Sequence, residues 1–332
     1  MINKYPSYAV AIRTLGAAGD KYIRLLNSIL NLVPRPKEVI VVLPEGYKKP
    51  DYSAGIEKIV YSKKGMIEQR LAALDYISSE YILFCDDDVE FGCDFVSMLF
   101  EPLLYENYSC SAGPLLEFFP PKTIKYAIAS ALGGACIMLH NTKKTYVRIL
   151  KTGGWSYNHN IALDKHIYYD TDSLPWTCFF IKSDVLKQIH FEDEIWSEKT
   201  GYAAFEDRAM FYKLKLNGFK TCVVSDAQYI HNDAKTSMKT LKLEPIYARA
   251  YNHYVFWHRY IYSFSKNTID AIRCKLCINY YIIMQRIYHG LLVAIKREDK
   301  CVYRTVVKGF RDAKQFCNSE EYRNLNPVIM VK

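Results

Sequence analysis

The chain has 332 residues, half of them apolar, and a formal net charge of +9. Enough apolar surface is present for a large core, which excludes a disordered protein and favours one large domain with an appendage. No stretch approaches the roughly eighteen uncharged apolar residues of a membrane-spanning helix, and no leader-like segment opens the chain, so we expect a cytoplasmic protein. The ten cysteines are scattered, which is typical of reduced thiols.

Apolar strands and amphipathic helices alternate through the first eighty residues. A strand, a helix and a strand in close succession predict a parallel crossover. Repetition of this unit predicts an α/β sheet with helices on both faces. The predicted strands are residues 8–12, 38–43 and 58–61, and the predicted helices are residues 20–30 and 66–76.

A further strand, residues 81–85, is followed directly by Asp86, Asp87 and Asp88. Its unbroken apolar run predicts a central strand, and open α/β sheets bind ligands at the carboxyl ends of such strands. Two ionised carboxylates about 4 Å apart repel by roughly 4 kcal/mol at the intermediate dielectric of a cleft. Mg²⁺ or Mn²⁺ would offset this repulsion, and such ions complete their shells with substrate phosphates. The triplet therefore indicates an enzyme with a diphosphate-bearing substrate.

The middle of the chain, residues 92–165, has no pattern that assigns its structure. Regular patterns return beyond it and complete the predicted sheet. These later elements are a strand at 176–181, a helix at 184–189 capped by Ser183, a polar loop at 191–205, a helix at 206–217 closed by Gly218, and a strand at 221–225.

Glu206 and Asp207 open the last of these helices. Acidic residues in a first helical turn are favoured by the helix dipole alone. However, Asp207 precedes Met210 and Phe211 at helical spacing, so it heads the apolar stripe and should face the protein interior. An inward carboxylate on a rigid element suits a general base that removes a proton from an acceptor hydroxyl. We therefore favour Asp207 as the catalytic base.

Three single residues are further candidates. His231 follows the strand at 221–225 and is a candidate third metal ligand, although a lone histidine is more often structural. Trp196 is a candidate stacking floor for a sugar ring of the acceptor, and the alternative is a partly buried loop anchor. Arg70 is a candidate contact for the diphosphate, and the alternative is a surface arginine.

The net positive charge lies entirely in the last quarter of the chain. Residues 249–332 contain 15 Lys and Arg but six Asp and Glu, whereas the two kinds are equal in number before them. We predict a catalytic domain at 1–245 and a helical, basic, aromatic-rich region at 246–332. The interleaved aromatic and basic residues at 247–264 suit either an anionic membrane surface or helices packed on the catalytic domain.

With these residues in place, the chain resembles the family 2 glycosyltransferases, which are inverting enzymes of the GT-A fold that use nucleotide sugars. The resemblance runs from about residue 8 to residue 231. The Asp-X-Asp motif of the family matches Asp86 to Asp88, and its catalytic Glu-Asp pair matches Glu206 and Asp207. A histidine that completes the metal site in some members matches His231.

The resemblance also implies which residues bind the donor. The first strand ends near Thr14, which matches a nucleotide contact of the family, and Glu45 is the acidic residue offered after the second strand for the nucleobase. Arg70, Asp86 and Asp87 would contact the nucleotide sugar. The implied metal ligands are Asp86, Asp88 and His231.

The implied fold is GT-A, a Rossmann-like and mostly parallel sheet flanked by helices, with a helical basic appendage. The implied reaction is a direct displacement that uses Mn²⁺ or Mg²⁺ and a nucleotide-diphosphate sugar. A glycan or a lipid-linked glycan would be the acceptor, as in surface polysaccharide or glycolipid assembly.

Two other functions fit parts of the sequence. A sugar nucleotidyltransferase also combines an α/β sheet, Mg²⁺ and carboxylates, but residues 16–21 are a poor version of its triphosphate loop. A non-enzymatic protein that binds a membrane surface through the basic tail is the second alternative. The tail carries no recognised reading motif, so we expect no nucleic-acid partner.

Overall fold

The computed structural model describes residues 5–138, 144–232 and 242–330. The strands in these ranges are β1 (Tyr8–Arg13), β2 (Glu38–Pro44), β3 (Glu57–Ser62), β4 (Tyr81–Asp86), β5 (Val89–Phe91), β6 (Cys110–Ala112), β7 (Cys136–Met138), β8 (Val147–Ile149), β9 (Trp155–Asn158), β10 (Tyr168–Asp170), β11 (Cys178–Lys182), β12 (Thr221–Val224) and β13 (Tyr229–His231). The helices are α1 (Asp20–Leu30), α2 (Met66–Ala72), α3 (Phe95–Tyr105), α4 (Ile124–Leu132), α5 (Ser183–Gln188), α6 (Glu206–Leu216), α7 (Leu243–Phe256), α8 (Thr268–Ala294), α9 (Lys300–Cys317) and α10 (Glu320–Arg323).

Eight of the described strands form one central sheet in the order β10-β12-β6-β11-β4-β1-β2-β3. The strands β1, β2, β3 and β4 run parallel, and β11 joins β4 in the antiparallel direction. Parallel strands end at the same edge of a sheet, so the residues that follow β1, β2 and β4 meet at one place. The predicted α/β sheet with helices packed on it is confirmed.

The elements predicted in the first third match the structure closely. Helix α1 has the predicted bounds, and β4 runs one residue further than predicted, to Asp86. The predicted helix at 66–76 is α-helical only to Ala72 and continues as a 3₁₀ turn. Ser183 is not a cap, which corrects that prediction, because α5 begins at this residue and its hydroxyl donates to the carbonyl of Ser79 at 2.7 Å.

Two small sheets lie beside the central one in the described ranges. One is formed by β7, β9 and β8, and the other pairs β5 with β13. In this second sheet His231 lies opposite Val89, directly after the aspartate triplet. Strand pairing therefore places residue 231 beside a segment that lies more than a hundred residues earlier in the chain.

The C-terminal helices pack on the central sheet and share its core. Phe256, Trp257 and Tyr260 are each no more than 2% exposed. Burial of large apolar side chains stabilises each by about 1.5–3 kcal/mol, so the packing interpretation of residues 247–264 holds. The alternative interpretation, in which this segment faces a membrane, does not hold for these three buried rings. Within the described ranges, no helix combines the length and hydrophobicity that crossing a bilayer requires.

A buried carboxylate, Glu194, links the segment before α6 to the C-terminal helices. Arg259 donates two hydrogen bonds of 2.8 Å to it, and Lys213 of α6 lies 2.9 Å away. Burial alone would raise the pKa of Glu194, but the hydrogen bonds and charge of Arg259, with the charge of Lys213, lower it to about 2. Glu194 is therefore ionised, and its ion pairs join three parts of the chain.

The contact between α7 and α9 depends on Gly309. An added Cβ there would lie 2.8 Å from the Cβ of Ala250, whereas at Gly290 of α8 its nearest neighbour would be 3.9 Å away. Alanine gains roughly 0.5–1 kcal/mol of helix propensity at either site. We expect Gly290→Ala to raise the melting temperature and Gly309→Ala to lower it, because overpacking costs roughly 1–3 kcal/mol. Thermal unfolding of the two variants measures this, and equal shifts would contradict the packing of α9 on α7.

Candidate active site

A pocket of about 380 Å³ opens at the carboxyl end of β4. Asp86, Glu206 and Asp207 all line it. The structure therefore brings the predicted catalytic pair close to Asp86, which is predicted to contact the nucleotide sugar. This volume is within the range of small-molecule sites. The remaining wall is largely aromatic and comes from Phe118, Phe119, Tyr146, Trp155, Tyr157 and Trp176.

Two arginines compensate the charge of Asp86. Arg13 Nε lies 3.1 Å and Arg70 Nη2 lies 2.9 Å from the same carboxylate oxygen. The guanidinium of Arg70 also stacks on Trp176, 4.2 Å from the ring centre. Arg70 is therefore a buried residue beside the pocket and not a surface arginine. Its contact with a diphosphate stays a prediction.

Thr14 and Asp87 meet beside this cluster. The hydroxyl of Thr14 donates to a carboxylate oxygen of Asp87. Gln69 holds the end of β1 in place, since its side-chain amide donates to the carbonyls of Thr14 and Val42 at 3.1 Å each. Burial raises the pKa of Asp87 to about 6, although the bond from Thr14 opposes this change. The strand end that matches the nucleotide contact thus lies next to the aspartate triplet.

Asp88 and His231 form the other part of the predicted metal site. His231 Nε2 lies 3.5 Å from Asp88 Oδ1, and its Nδ1 is paired with Glu117. Carboxylate oxygens suit Mg²⁺ and Mn²⁺, which need only one or two protein carboxylates when substrate phosphates complete the shell. Asp88 and His231 therefore fit a divalent ion as a partial ligand set. In the described part of the chain, no three His, Cys, Asp or Glu side chains gather into a ready-made metal site, and Asp86 is paired with arginines instead.

Glu206 and Asp207 are oriented by the start of α6. Phe205 precedes the helix with a left-handed φ of 68°, a backbone strain of about 1–3 kcal/mol for a bulky residue. The fully buried Arg208 lies over the Phe205 ring at 3.9 Å and over Trp155 of the pocket wall at 4.5 Å. These contacts stabilise the turn that directs the first helical residues at the pocket.

The surroundings of the acidic pair raise the pKa of both carboxyl groups. Burial, and then the charge of Asp207, raise the pKa of Glu206 to about 8, although Arg70 and Arg13 oppose this. Burial also raises the pKa of Asp207, while the backbone N–H and charge of Arg208 lower it. Glu206 is buried and Asp207 partly exposed. Asp207 is therefore the member of the pair that a ligand in the pocket reaches.

Two candidates lie away from the pocket. Trp196 is 1% exposed, and its ring nitrogen donates to Glu194 at 2.6 Å. The expectation that it stacks on an acceptor sugar is corrected, because its ring has no exposed face. Glu45 is exposed on the turn after β2, at the same edge of the sheet but outside the pocket wall. Its contact with a nucleobase stays a prediction.

The loop after β1 does not resemble an open cradle for a triphosphate. Gly16 has a φ of 79°, and an added Cβ would clash with the carbonyl oxygen of Lys48. The glycine is thus required for a close approach between two backbone segments of the protein itself. This use of Gly16 disfavours the nucleotidyltransferase alternative.

The sequence reasoning missed most of the pocket wall. Phe118 and Phe119 follow β6, Trp155 and Tyr157 belong to β9, and Trp176 precedes β11. These residues lie in or beside the unassigned middle of the chain. Their one sequence signal is a high density of aromatic residues there, which does not separate a pocket wall from an ordinary core.

Residues 45–189 match a family model described as Glycosyl transferase family 2. No curated protein sequence matches the chain significantly. The crystal structure of GalNAc-T7 with UDP, GalNAc and Mn²⁺ is similar over 87% of this chain, with 11% identity and a TM-score of 0.50, and this chain spans 58% of that one. The mannosyltransferase PcManGT from Pyrobaculum calidifontis in complex with GDP-Man and Mn²⁺ is similar over 97% of this chain and 83% of its own, with 11% identity and a TM-score of 0.47.

The family match confirms the predicted resemblance to family 2 glycosyltransferases, and the likeness to GalNAc-T7 supports the predicted GT-A fold. The matched range contains the aspartate triplet and Arg70. It ends before Glu206, Asp207 and His231, so the assignment of these three residues rests on their geometry and on the motif resemblance.

The raised pKa of Glu206 predicts a pH-dependent stability. Its pKa of about 8 in the folded protein lies above the ordinary glutamate value of 4.5, so its contribution to stability is present in full below pH 4.5 and is lost as pH rises through 8. Each pH unit in this window costs at most about 1.4 kcal/mol. We expect Glu206→Gln to be more stable than the unmodified protein at pH 8.5 and to lose less stability between pH 5 and 8.5. Melting temperatures across this range measure the effect.

Glu68→Gln is the matched control, since Glu68 lies on α2 outside this pocket wall. The control should reproduce the pH profile of the unmodified protein. Parallel profiles for all three proteins would contradict the assigned environment of Glu206.

Proposed function

We propose that this chain, which has the GT-A fold and resembles the family 2 glycosyltransferases in its motifs, transfers a sugar from a nucleoside diphosphate to an acceptor hydroxyl and inverts the anomeric carbon. The observation that carries the proposal is the common pocket of Asp86, Glu206 and Asp207 at the carboxyl end of β4. A donor site beside the triplet and a base on α6 are what a single displacement needs.

Asp207 is the proposed general base. It accepts the proton of the acceptor hydroxyl while the hydroxyl oxygen bonds to the anomeric carbon. The bond from that carbon to the phosphate oxygen breaks, and its electron pair leaves with the nucleoside diphosphate. Because burial raises the pKa of Asp207, its carboxylate is a stronger base than an exposed aspartate. The nearby charge of Arg208 favours the ionised form that the step requires.

Both negatively and positively charged residues would take part in binding the diphosphate of the donor. Asp88 and His231 would hold a Mn²⁺ or Mg²⁺ ion, which when bound offsets charge on the departing diphosphate. Arg70 and Arg13 are already oriented by Asp86, so their positive charge is fixed before any ligand binds. Fixed charges of this kind stabilise a developing anion without reorganisation.

The aromatic wall suits the sugars of the reaction. Trp155, Tyr157 and Trp176 line the pocket beside Asp207 and Asp86, and aromatic faces pack well on the apolar face of a sugar ring. We further propose that the acceptor is a glycan or a lipid-linked glycan, because the aromatic wall offers several ring faces on which sugar units can pack.

The direct test is incubation with UDP- and GDP-sugars, with and without Mn²⁺. We expect metal-dependent release of nucleoside diphosphate, and a loss of roughly 10²–10⁴-fold in rate for Asp207→Asn. Asp184→Asn is the matched control, because Asp184 also lies in the first turn of a helix but is exposed and outside the pocket wall. Coupled detection of UDP or GDP measures both.

Two outcomes would contradict the proposal. One is pyrophosphate formation from a nucleoside triphosphate and a sugar phosphate, which would assign the protein to the nucleotidyltransferases. The other is unchanged diphosphate release by Asp207→Asn, which would remove the proposed base.

The separate roles proposed for Asp88 and Asp207 predict different effects of their substitution on nucleotide binding. Asp88→Ala should weaken UDP or GDP binding in Mn²⁺ at least about tenfold, since the partial ligand set is lost. Asp207→Asn should bind the nucleotide as the unmodified protein does. Isothermal titration calorimetry with Mn²⁺, and again with EDTA, measures both. Equal losses in the two variants would refute this division of roles.

A further inference from the structure

Helix α8 is apolar on two opposite faces. One face is buried against the protein through Cys274 and Ile278. The opposite face carries a stripe with helical spacing in which every side chain is between 47% and 64% exposed. The stripe consists of Ile269, Ile272, Leu276, Ile283, Ile287 and Leu291.

A second helix extends this apolar surface. On α4, Ile124, Ile128 and Leu132 follow one another at four-residue spacing and are more than half exposed. Tyr280 of α8 donates to the carbonyl of Ala131 at 3.3 Å, so the two helices are neighbours. A groove of about 360 Å³ lies between them. We call the exposed surface of both helices the α4–α8 face.

The size of this face calls for a partner. Soluble monomers rarely expose contiguous apolar patches beyond a few hundred Å², and larger ones mark protein or membrane interaction sites. The described exposed aliphatic residues elsewhere, such as Ile56 and Ile329, are isolated from it along the chain.

The charges on these helices indicate the chemistry of the partner. The basic residues of α8 are Arg273, Lys275 and Arg286, and its one acidic residue, Asp270, is paired with Lys151. The charged residue of α4 is Lys125. None of these four basic side chains forms an ion pair with another residue in the described ranges. An apolar stripe flanked by such positive charge is complementary to a surface that is apolar and anionic.

We infer that the α4–α8 face docks onto an anionic lipid bilayer with both helices lying in the plane of the interface. The 27 residues of α8 give it a length of about 40 Å along the surface. A second copy of the chain is a poorer occupant, because two such faces would oppose basic residues to basic residues. This surface differs from the aromatic segment at 247–264, which is buried in the core.

The test is vesicle flotation of the full chain. We expect binding to vesicles of equal parts phosphatidylcholine and phosphatidylglycerol, weaker binding to phosphatidylcholine alone, and loss of binding at high salt. The double variant Leu276→Ser with Ile287→Ser should bind roughly tenfold less or weaker, because apolar burial is lost. The double variant Ile56→Ser with Ile329→Ser is the control and should bind as the unmodified protein does.

Each remaining outcome overturns the inference. Absence of binding to the mixed vesicles removes the bilayer as partner, and equal binding by both double variants removes the α4–α8 face. A dimer in light scattering that Leu276→Ser with Ile287→Ser abolishes would assign the face to a second copy. Unchanged melting temperatures in both variants establish that folding is intact, since all four positions are exposed. None of these readouts depends on sugar transfer.

Discussion

The crowding of carboxyl groups at one edge of the central sheet is the constraint on which the site depends. Asp86, Asp87 and Glu206 converge there, and burial raises the pKa of Asp87 to about 6 and of Glu206 to about 8. Arg13 and Arg70 reduce this cost through a shared oxygen of Asp86. Because Arg70 also stacks on Trp176, the side chain that compensates the charge also fixes part of the pocket wall. Electrostatic balance and pocket shape are therefore coupled through one guanidinium group.

The first third of the fold and the heart of the site could be predicted from the sequence for a physical reason. Parallel strands buried on both faces give continuous apolar runs, and their carboxyl ends must meet at one edge. The apolar strand before Asp86 predicts that this residue lies at that edge. The position of Asp207 at the head of an apolar helical stripe predicts that it faces the interior. Both are local signals that need no knowledge of distant contacts.

The remaining features of the site and the surface could not be predicted from the sequence. Whether a side chain there is buried or exposed depends on which distant segment packs against it. Trp196 and Phe118 are both aromatic residues in short 3₁₀ helices, yet Trp196 is buried with its ring nitrogen bonded to Glu194, whereas Phe118 lines the pocket. Trp257 belongs to a basic aromatic segment that suits a membrane, but it is buried against Cys274 and Ile278 of α8. Helix α8 has apolar residues on two opposite faces. Its sequence therefore lacks the one-sided apolar pattern by which the exposed stripe would be recognised.

The ion pairs of Glu194 bear on how the protein is divided. The carboxylate and Lys213 lie within residues 1–245, whereas Arg259 comes from the helices that follow. Loss of one partner from a buried charge costs about 3–5 kcal/mol, a large part of the 5–15 kcal/mol that holds a typical native state. A fragment that ends at residue 245 would lose this guanidinium together with the rings packed beneath it. We therefore expect the basic tail to fold together with residues 1–245, so that its loss by truncation would disturb the candidate site without changing any residue in it.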